Sequence, residues 1–276
     1  MKDKIKIAQL QTPVCDDKEK NLETLGEYLN KVSSSKPDLV TAGEMFCCPY
    51  DNSCFPKYAE PEGAAAWQRL SAYAREFGVY LQAGTVPERD EQGRIYNTAY
   101  VFDPRGRQIA KHRKVHLFDI DVEGGQSFRE SDTLTAGDQI TVFDTEFCRI
   151  GLCICFDCRF PEMARIASLE GAQLFLVPAA FNMTTGPAHW ELMFRSRAVD
   201  DQMFVVGTSD ARDMNASYHA WGHSMIVDPW GTVISEMDEN PDARVTEIDL
   251  AQVDRIRRQL PLLSARRDDL YTLRRK

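Results

Sequence analysis

The chain has 276 residues, 43% of them hydrophobic, and a formal net charge of -9. That size supplies core for one large α/β domain or two small ones, and the negative balance excludes a general binder of nucleic acid or of anionic membranes. No basic-then-apolar leader opens the chain and no apolar run is long enough to cross a bilayer, so a soluble, cytoplasmic protein is expected. Of the 8 cysteines, five sit in two tight clusters, Cys47 with Cys48 and Cys153 with Cys155 and Cys158. Such neighbours pair badly as disulfides, and a chain this long does not need staples, so reduced thiols are expected.

Ile5 to Gln11 alternates as a strand. Leu22, Leu25, Leu29 and Val32 recur at helical spacing, which predicts an amphipathic helix over 21–32. Leu39 to Ala42 is a short apolar strand that the chain leaves at Gly43-Glu44-Met45. Trp67, Leu70, Ala74 and Phe77 mark a second helix, and Val79 to Gly84 a third strand. Asn97 to Phe102 and Gln108 to Arg113 read as a hairpin about Asp103-Pro104-Arg105-Gly106, where Asp, Pro and Gly favour a type I turn. Strand, helix and strand then repeat over 150–154, 160–170 and 174–177, followed by a helix over 189–202 and a strand over 204–209. A second Asp-Pro-x-Gly hairpin, about Asp228 to Gly231, joins 224–227 to 232–236. Two βαβ-rich halves, each ending in the same device, predict two sheets packed face to face with helices outside: an α-β-β-α sandwich. No linker divides it, so 1–276 is expected to form one domain, with basic residues 262–276 as an exposed arm or tail.

The chemistry centres on Gly151 to Glu162. An apolar strand ends there, Pro161 opens a helix, and Cys155 lies in the short turn between them. Backbone N–H groups at such a junction favour a thiolate and a developing oxyanion. Cys153-x-Cys155-x-x-Cys158 has no second Cys-x-x-Cys pair and no histidine nearby in sequence, so no metal site is expected. None of the five histidines stands in a motif that marks a base for the thiol. Two other titratable residues leave strands: Glu44, and Lys114 at the end of the first hairpin.

These residues carry a resemblance. Gly43-Glu44-Met45-Phe46, Arg113-Lys114-Val115-His116-Leu117 and Cys155-Phe156-Asp157-Cys158-Arg159-Phe160-Pro161-Glu162, in that order, resemble the nitrilase superfamily of carbon–nitrogen hydrolases over almost the whole chain. The resemblance implies an αββα sandwich with a Glu-Lys-Cys triad. Glu44 would be the general base, Lys114 the cation beside the tetrahedral intermediate, and Cys155 the nucleophile, with Glu130 helping to position substrate. Within the superfamily, the stretches 114–122, 180–192 and 216–224 look most like the omega-amidase branch, which acts on monoamides of short dicarboxylates. Departures are Phe156 where Tyr is usual, Cys47-Cys48, and His219 in place of a small apolar residue.

The resemblance implies no metal or organic cofactor and a homodimer or larger homo-oligomer. The mechanism requires a Glu44 pKa raised by burial, with Lys114 still charged beside it. The expected substrate-binding set is the Phe156 N–H for the oxyanion, Tyr50, Arg159, His189 and Trp190 for the substrate carboxylate, and Phe181 as wall. Arg159 has a competing role as structural partner of Asp157 or Glu162. Two alternatives stay open. One is another amidase of the superfamily, acting on deaminated glutathione amides or N-carbamoyl amines. The other, from a different class, is a thiol redox sensor built on Cys153, Cys155 and Cys158.

Overall fold

The computed structural model describes residues 2–276. The first sheet is built from β1 (Lys4–Gln11), β2 (Leu39–Ala42), β3 (Tyr80–Gln82), β4 (Val86–Arg89), β5 (Ile95–Phe102) and β6 (Gln108–Arg113). β1, β2 and β3 run parallel, and β5 is antiparallel to β3, β4 and β6. A small hairpin follows, β7 (Asp119–Asp121) with β8 (Ser127–Arg129). The second sheet holds β9 (Thr141–Asp144), β10 (Arg149–Leu152), β11 (Leu174–Ala179), β12 (Phe204–Ser209), β13 (Met225–Val227) and β14 (Val233–Glu236). β15 (Asp242–Asp249) then crosses back and pairs antiparallel with β1 along its whole length.

Helices α1 (Lys18–Ser33), α2 (Cys54–Tyr58) and α3 (Ala65–Phe77) belong to the first half; α4 (Pro161–Leu169), α5 (Gly186–Asp201) and α6 (Ala251–Gln259) follow. α1 buries Leu22, Leu25, Leu29 and Val32, the residues whose spacing predicted it. α1 and α3 lie on the first sheet, α4 and α5 on the second, and β1 and β2 face β11 and β12. This is the α-β-β-α sandwich. The central parallel strands β2 and β11 are buried at every residue, as strands covered on both faces must be. Both predicted hairpins form. Asp103 and Asp228 each accept two backbone N–H bonds across their turns, and Gly106 and Gly231 follow at φ +76° and +87°.

Boundaries differ from expectation in places. α5 begins at Gly186, where Pro187 takes a first-turn position. The turn holding Cys155 is longer than the sequence suggests: Cys155–Arg159 is a single 3-10 turn, and α4 starts only at Pro161. Residues 262–276 form no helix or strand; Arg275 pairs with Glu170 at 2.6 Å.

Candidate active site

Glu44, Lys114 and Cys155 each lie just past the carboxyl end of a strand, β2, β6 and β10, where backbone leaves the sheet and side chains can converge. Two come from the first sheet and one from the second. Lys114 Nζ donates to Glu44 Oε1 at 2.8 Å and to Glu130 Oε1 at 3.0 Å, with all three side chains excluded from solvent. Glu44 is clamped further by Asn97 Nδ2 at 2.8 Å on Oε1 and by the Ala180 N–H at 3.0 Å on Oε2. Glu130 Oε2 accepts the Phe118 N–H at 2.6 Å. The Tyr50 hydroxyl donates to Glu130 and accepts from Lys114 Nζ at 3.2 Å. Cys155 is 5% exposed and within interaction range of Glu44, Lys114 and the Ala180 backbone. Its φ is +43°, a left-handed conformation that costs a side-chain-bearing residue energy and is held by the surrounding structure.

Asp157 supplies that support. Its carboxylate accepts the Ile154 N–H at 3.1 Å and the His116 N–H at 2.8 Å, and contacts His116 Nδ1 at 2.8 Å and His112 Nε2 at 3.0 Å. It therefore ties the turn of Cys155 to the segment that carries Lys114. Burial alone would raise its pKa; the hydrogen bonds from His112 and His116 outweigh burial and hold it well below the usual carboxylate range.

Burial raises the pKa of Glu44, and the Glu130 charge adds to it against the opposing pull of Lys114. For Lys114, burial works against the charge, but the Glu130 and Glu44 carboxylates more than offset it and the ammonium is retained. One ammonium among two carboxyls is electrically balanced when one carboxyl carries a proton, so the cluster is suited to passing a proton. The thiol departs from expectation: burial, then the Glu44 charge, pushes Cys155 well above its ordinary value. The site therefore favours the protonated thiol. Cys153 and Cys158 are raised by burial as well, Cys158 to about 12, unlike the low-pKa thiols of redox sensors. Among the described residues all eight cysteines are free.

A family model for carbon–nitrogen hydrolases matches residues 4–258. The chain belongs to the carbon–nitrogen hydrolase family. Among curated relatives, an omega-amidase of Mus musculus is 45% identical over 271 residues, covering 98% of each chain. The crystal structure of Saccharomyces cerevisiae Nit3, described as a member of branch 10 of the nitrilase superfamily, superposes with a TM-score of 0.89 at 38% identity, covering 97% of this chain and 98% of that one. An amidase from Nesterenkonia sp. AN1 superposes at 0.80 with 25% identity, covering 96% of this chain and 98% of that one; its structure shows acrylamide added to the active-site cysteine.

Tyr50, which bonds to Lys114 and Glu130, lies in the wall of two cavities. One, of about 470 Å³, has Glu44, Tyr50, Ala180 and Tyr218 in its wall. The other, of about 540 Å³, is lined by Tyr50, Phe128, Asn182, Thr184, Tyr218 and His219, among others. Tyr50 and Tyr218, with ring centroids 4.6 Å apart, stand between them.

Of the expected substrate-binding set, Tyr50 alone lines these two cavities. Trp190 is a core residue, 2% exposed, packed on Phe181 and Phe194 and donating its Nε1–H to the His223 carbonyl at 2.7 Å. Phe181, 3% exposed, is likewise core. Arg159 binds neither Asp157 nor Glu162: its Nη1 lies 3.1 Å from His189 Nδ1 and its guanidinium sits 4.7 Å from the Phe181 ring centre. The histidines take Asp157 instead. Phe156 packs on Phe118 and Phe160.

Sequence reasoning missed Asn97, Asn182, Asp210 and Tyr218. Asn97 sits near the start of β5 with no local mark. Asn182 and Asp210 follow strands β11 and β12, a position at strand exits that gave Glu44 and Lys114 away and could have flagged them; Tyr218 lies nine residues beyond β12, with no such mark.

Proposed function

We infer that the protein is an omega-amidase-type enzyme that hydrolyses the terminal amide of a short dicarboxylate monoamide, of the succinamate or 2-oxoglutaramate kind. The observation that carries this reading is the meeting of Glu44, Lys114 and Cys155 from two sheets in one solvent-excluded cluster. The near-full-length likeness to an omega-amidase supports the branch.

Glu44 takes the proton of the Cys155 thiol as sulfur attacks the amide carbonyl. The oxyanion is met by the Lys114 ammonium and by the backbone N–H of Phe156; one such donor lowers a barrier by about 3–4 kcal/mol. Glu44 returns the proton to the nitrogen, because an amide anion is too basic to leave. Ammonia departs and a thioester remains. Glu44 then activates water to hydrolyse it. Glu130 and Tyr50 hold Lys114 in place.

Asn182, in the wall of the second cavity, supports a site for the substrate carboxylate. Asn182 Oδ1 accepts from the Thr184 and Thr185 N–H groups at 3.1 and 2.8 Å, which fixes the amide so that Nδ2 is the remaining donor. That Nδ2 has no partner, although the residue is only 2% exposed, and His219 lines the same cavity. A buried donor without an acceptor is costly, and a bound carboxylate would supply the acceptor.

Ammonia release from succinamate, 2-oxoglutaramate, a deaminated glutathione amide, an N-carbamoyl amine and a nitrile tests the reading. The first two should be turned over with the highest kcat/KM, and Cys155→Ala should abolish turnover while keeping the fold. Asn182→Asp should raise KM for succinamate about 10-fold or more, the worth of one lost charge-assisted bond, with little change for the uncharged butyramide. Preference for another member of the panel, or activity in Cys155→Ala, overturns the reading.

A further inference from the structure

The cavity beside Glu44 has a distinctive wall. Four aspartates, Asp16, Asp51, Asp210 and Asp213, line it together with Glu44, and no Lys, Arg or His does. In the neighbouring cavity Asp51 is the sole acid, and His219 and Asn182 share its wall. Three of the aspartates have partners. Asp16 is paired with Lys57 at 3.0 Å, and Asp51 and Asp213 each accept a backbone N–H of their own turn, from Ser53 and Asn215.

Asp210 is different. It follows β12, is 6% exposed, and its Oδ1 has no hydrogen-bond partner. It packs on the backbone of Gly43: a Cβ at that glycine would stand 2.3 Å from Oδ1, so the carboxyl is held one residue from the base. Burial, with the Glu44 charge adding to it, raises the Asp210 pKa well above the usual range, which favours the protonated acid. A buried carboxyl close to Glu44 with an unpaired oxygen has hydrogen-bonding capacity left for a ligand at its cavity side.

Resting on the amidase reading above, we propose that this acid-lined cavity receives the amine released from the substrate and conducts it to solvent as ammonium, with Asp210 as its hydrogen-bond partner. Collapse of the tetrahedral intermediate breaks the C–N bond and restores the carbonyl of the thioester, while the proton on Glu44 goes to nitrogen. The product is neutral ammonia. It takes the carboxyl proton of Asp210, giving a carboxylate–ammonium pair, and the ammonium leaves past Asp51, Asp213 and Asp16. Solvent water reprotonates Asp210, and the hydroxide left is neutralised by bulk buffer. Ammonium has no lone pair to attack the thioester, so this route suppresses the back reaction, and the aspartates stabilise the cation on its way out. The acyl group and the acid product use the neighbouring cavity.

The route out for an amine is also a route in, so the test reads acyl transfer. Hydroxylamine competes with water for the thioester, and the ratio of hydroxamate to acid is set after acylation, whichever amide formed the thioester. Ala216→Phe, on a half-buried loop lining this cavity alone, and Asp210→Asn should each lower that ratio about 3- to 10-fold, the worth of one hydrogen bond. His219→Phe, in the other cavity, should raise KM for the amide and leave the ratio unchanged. An unchanged ratio in Ala216→Phe, or a fall in His219→Phe, overturns the route and leaves the amidase reading standing. If Asp210→Asn does not fold, Ala216→Phe decides. Absence of a thioester from every amide would overturn the amidase reading, and this one with it.

Discussion

Cys155 illustrates how far a side chain's chemistry depends on neighbours that its own segment does not contain. A turn between a strand and a helix suggests a stabilised thiolate. In the folded chain the same sulfur faces the Glu44 carboxyl in a buried site, and both burial and that charge keep it a thiol. In the proposed mechanism Glu44 must be ionised to take the proton. Because the pKa of Glu44 is raised by burial above its ordinary 4.5, kcat/KM should fall on acidification at a pH above that value, as Glu44 becomes protonated. A pH–rate profile on succinamate checks this; an acidic limb at or below the ordinary value would show that Glu44 is not the base. Lys114 stays charged across that range, since the Glu130 and Glu44 carboxylates hold its proton.

The turn Cys155–Arg159 and the strand exits around it are stabilised as a unit by Asp157. The carboxylate satisfies the N–H groups of Ile154 and His116 and both imidazoles. Asp157→Ala leaves at least two buried donors unsatisfied, at about 1–3 kcal/mol each, and should destabilise the fold by about 3 kcal/mol or more. Denaturant unfolding measures it, and a loss under 1 kcal/mol would contradict the role. The folded pKa lies below the unfolded one, so this contribution is complete above the ordinary aspartate value of 3.8 and is lost as pH falls through the lower, folded value. Strongly periodic elements were legible from the chain alone: α1, the two Asp-Pro-x-Gly hairpins and the buried strands β2, β10, β11 and β12. β15 was not. Its residues, Asp-Ala-Arg-Val-Thr-Glu-Ile-Asp, are mostly half-exposed, as an edge strand's are, and only the eight-residue register with β1 identifies them.

The active cluster straddles two sheets, so the molecule as a whole must hold them in register. Polar ties buried between the sheets contribute. Gln9 Nε2, on β1, donates to the Gly207 carbonyl at 2.8 Å and the Met225 carbonyl at 3.2 Å, and Thr41 and Thr208 hydroxyls meet at 2.6 Å. Gln9→Leu removes the donor and should cost about 1–2 kcal/mol, lowering Tm by about 2–4 °C per kcal/mol for a chain of this size. Calorimetry checks it; an unchanged or raised Tm would show that the tie is dispensable.

The amino-acid sequence by itself determined which groups are chemically competent: an acid, an amine and a thiol, each at the end of a strand whose apolar pattern is local and readable. It also determined the layered architecture, because alternation and helical spacing are properties of short windows. The tertiary structure alone decided how those groups act together. The raised pKa values of Cys155 and Glu44, the clamp of Asp157 by two histidines, the loss of Trp190 and Phe181 to the core, and the gathering of acids in one of two cavities all depend on distances between segments up to about 200 residues apart. Desolvation and Coulomb energies vary with those distances, and no window of sequence contains them.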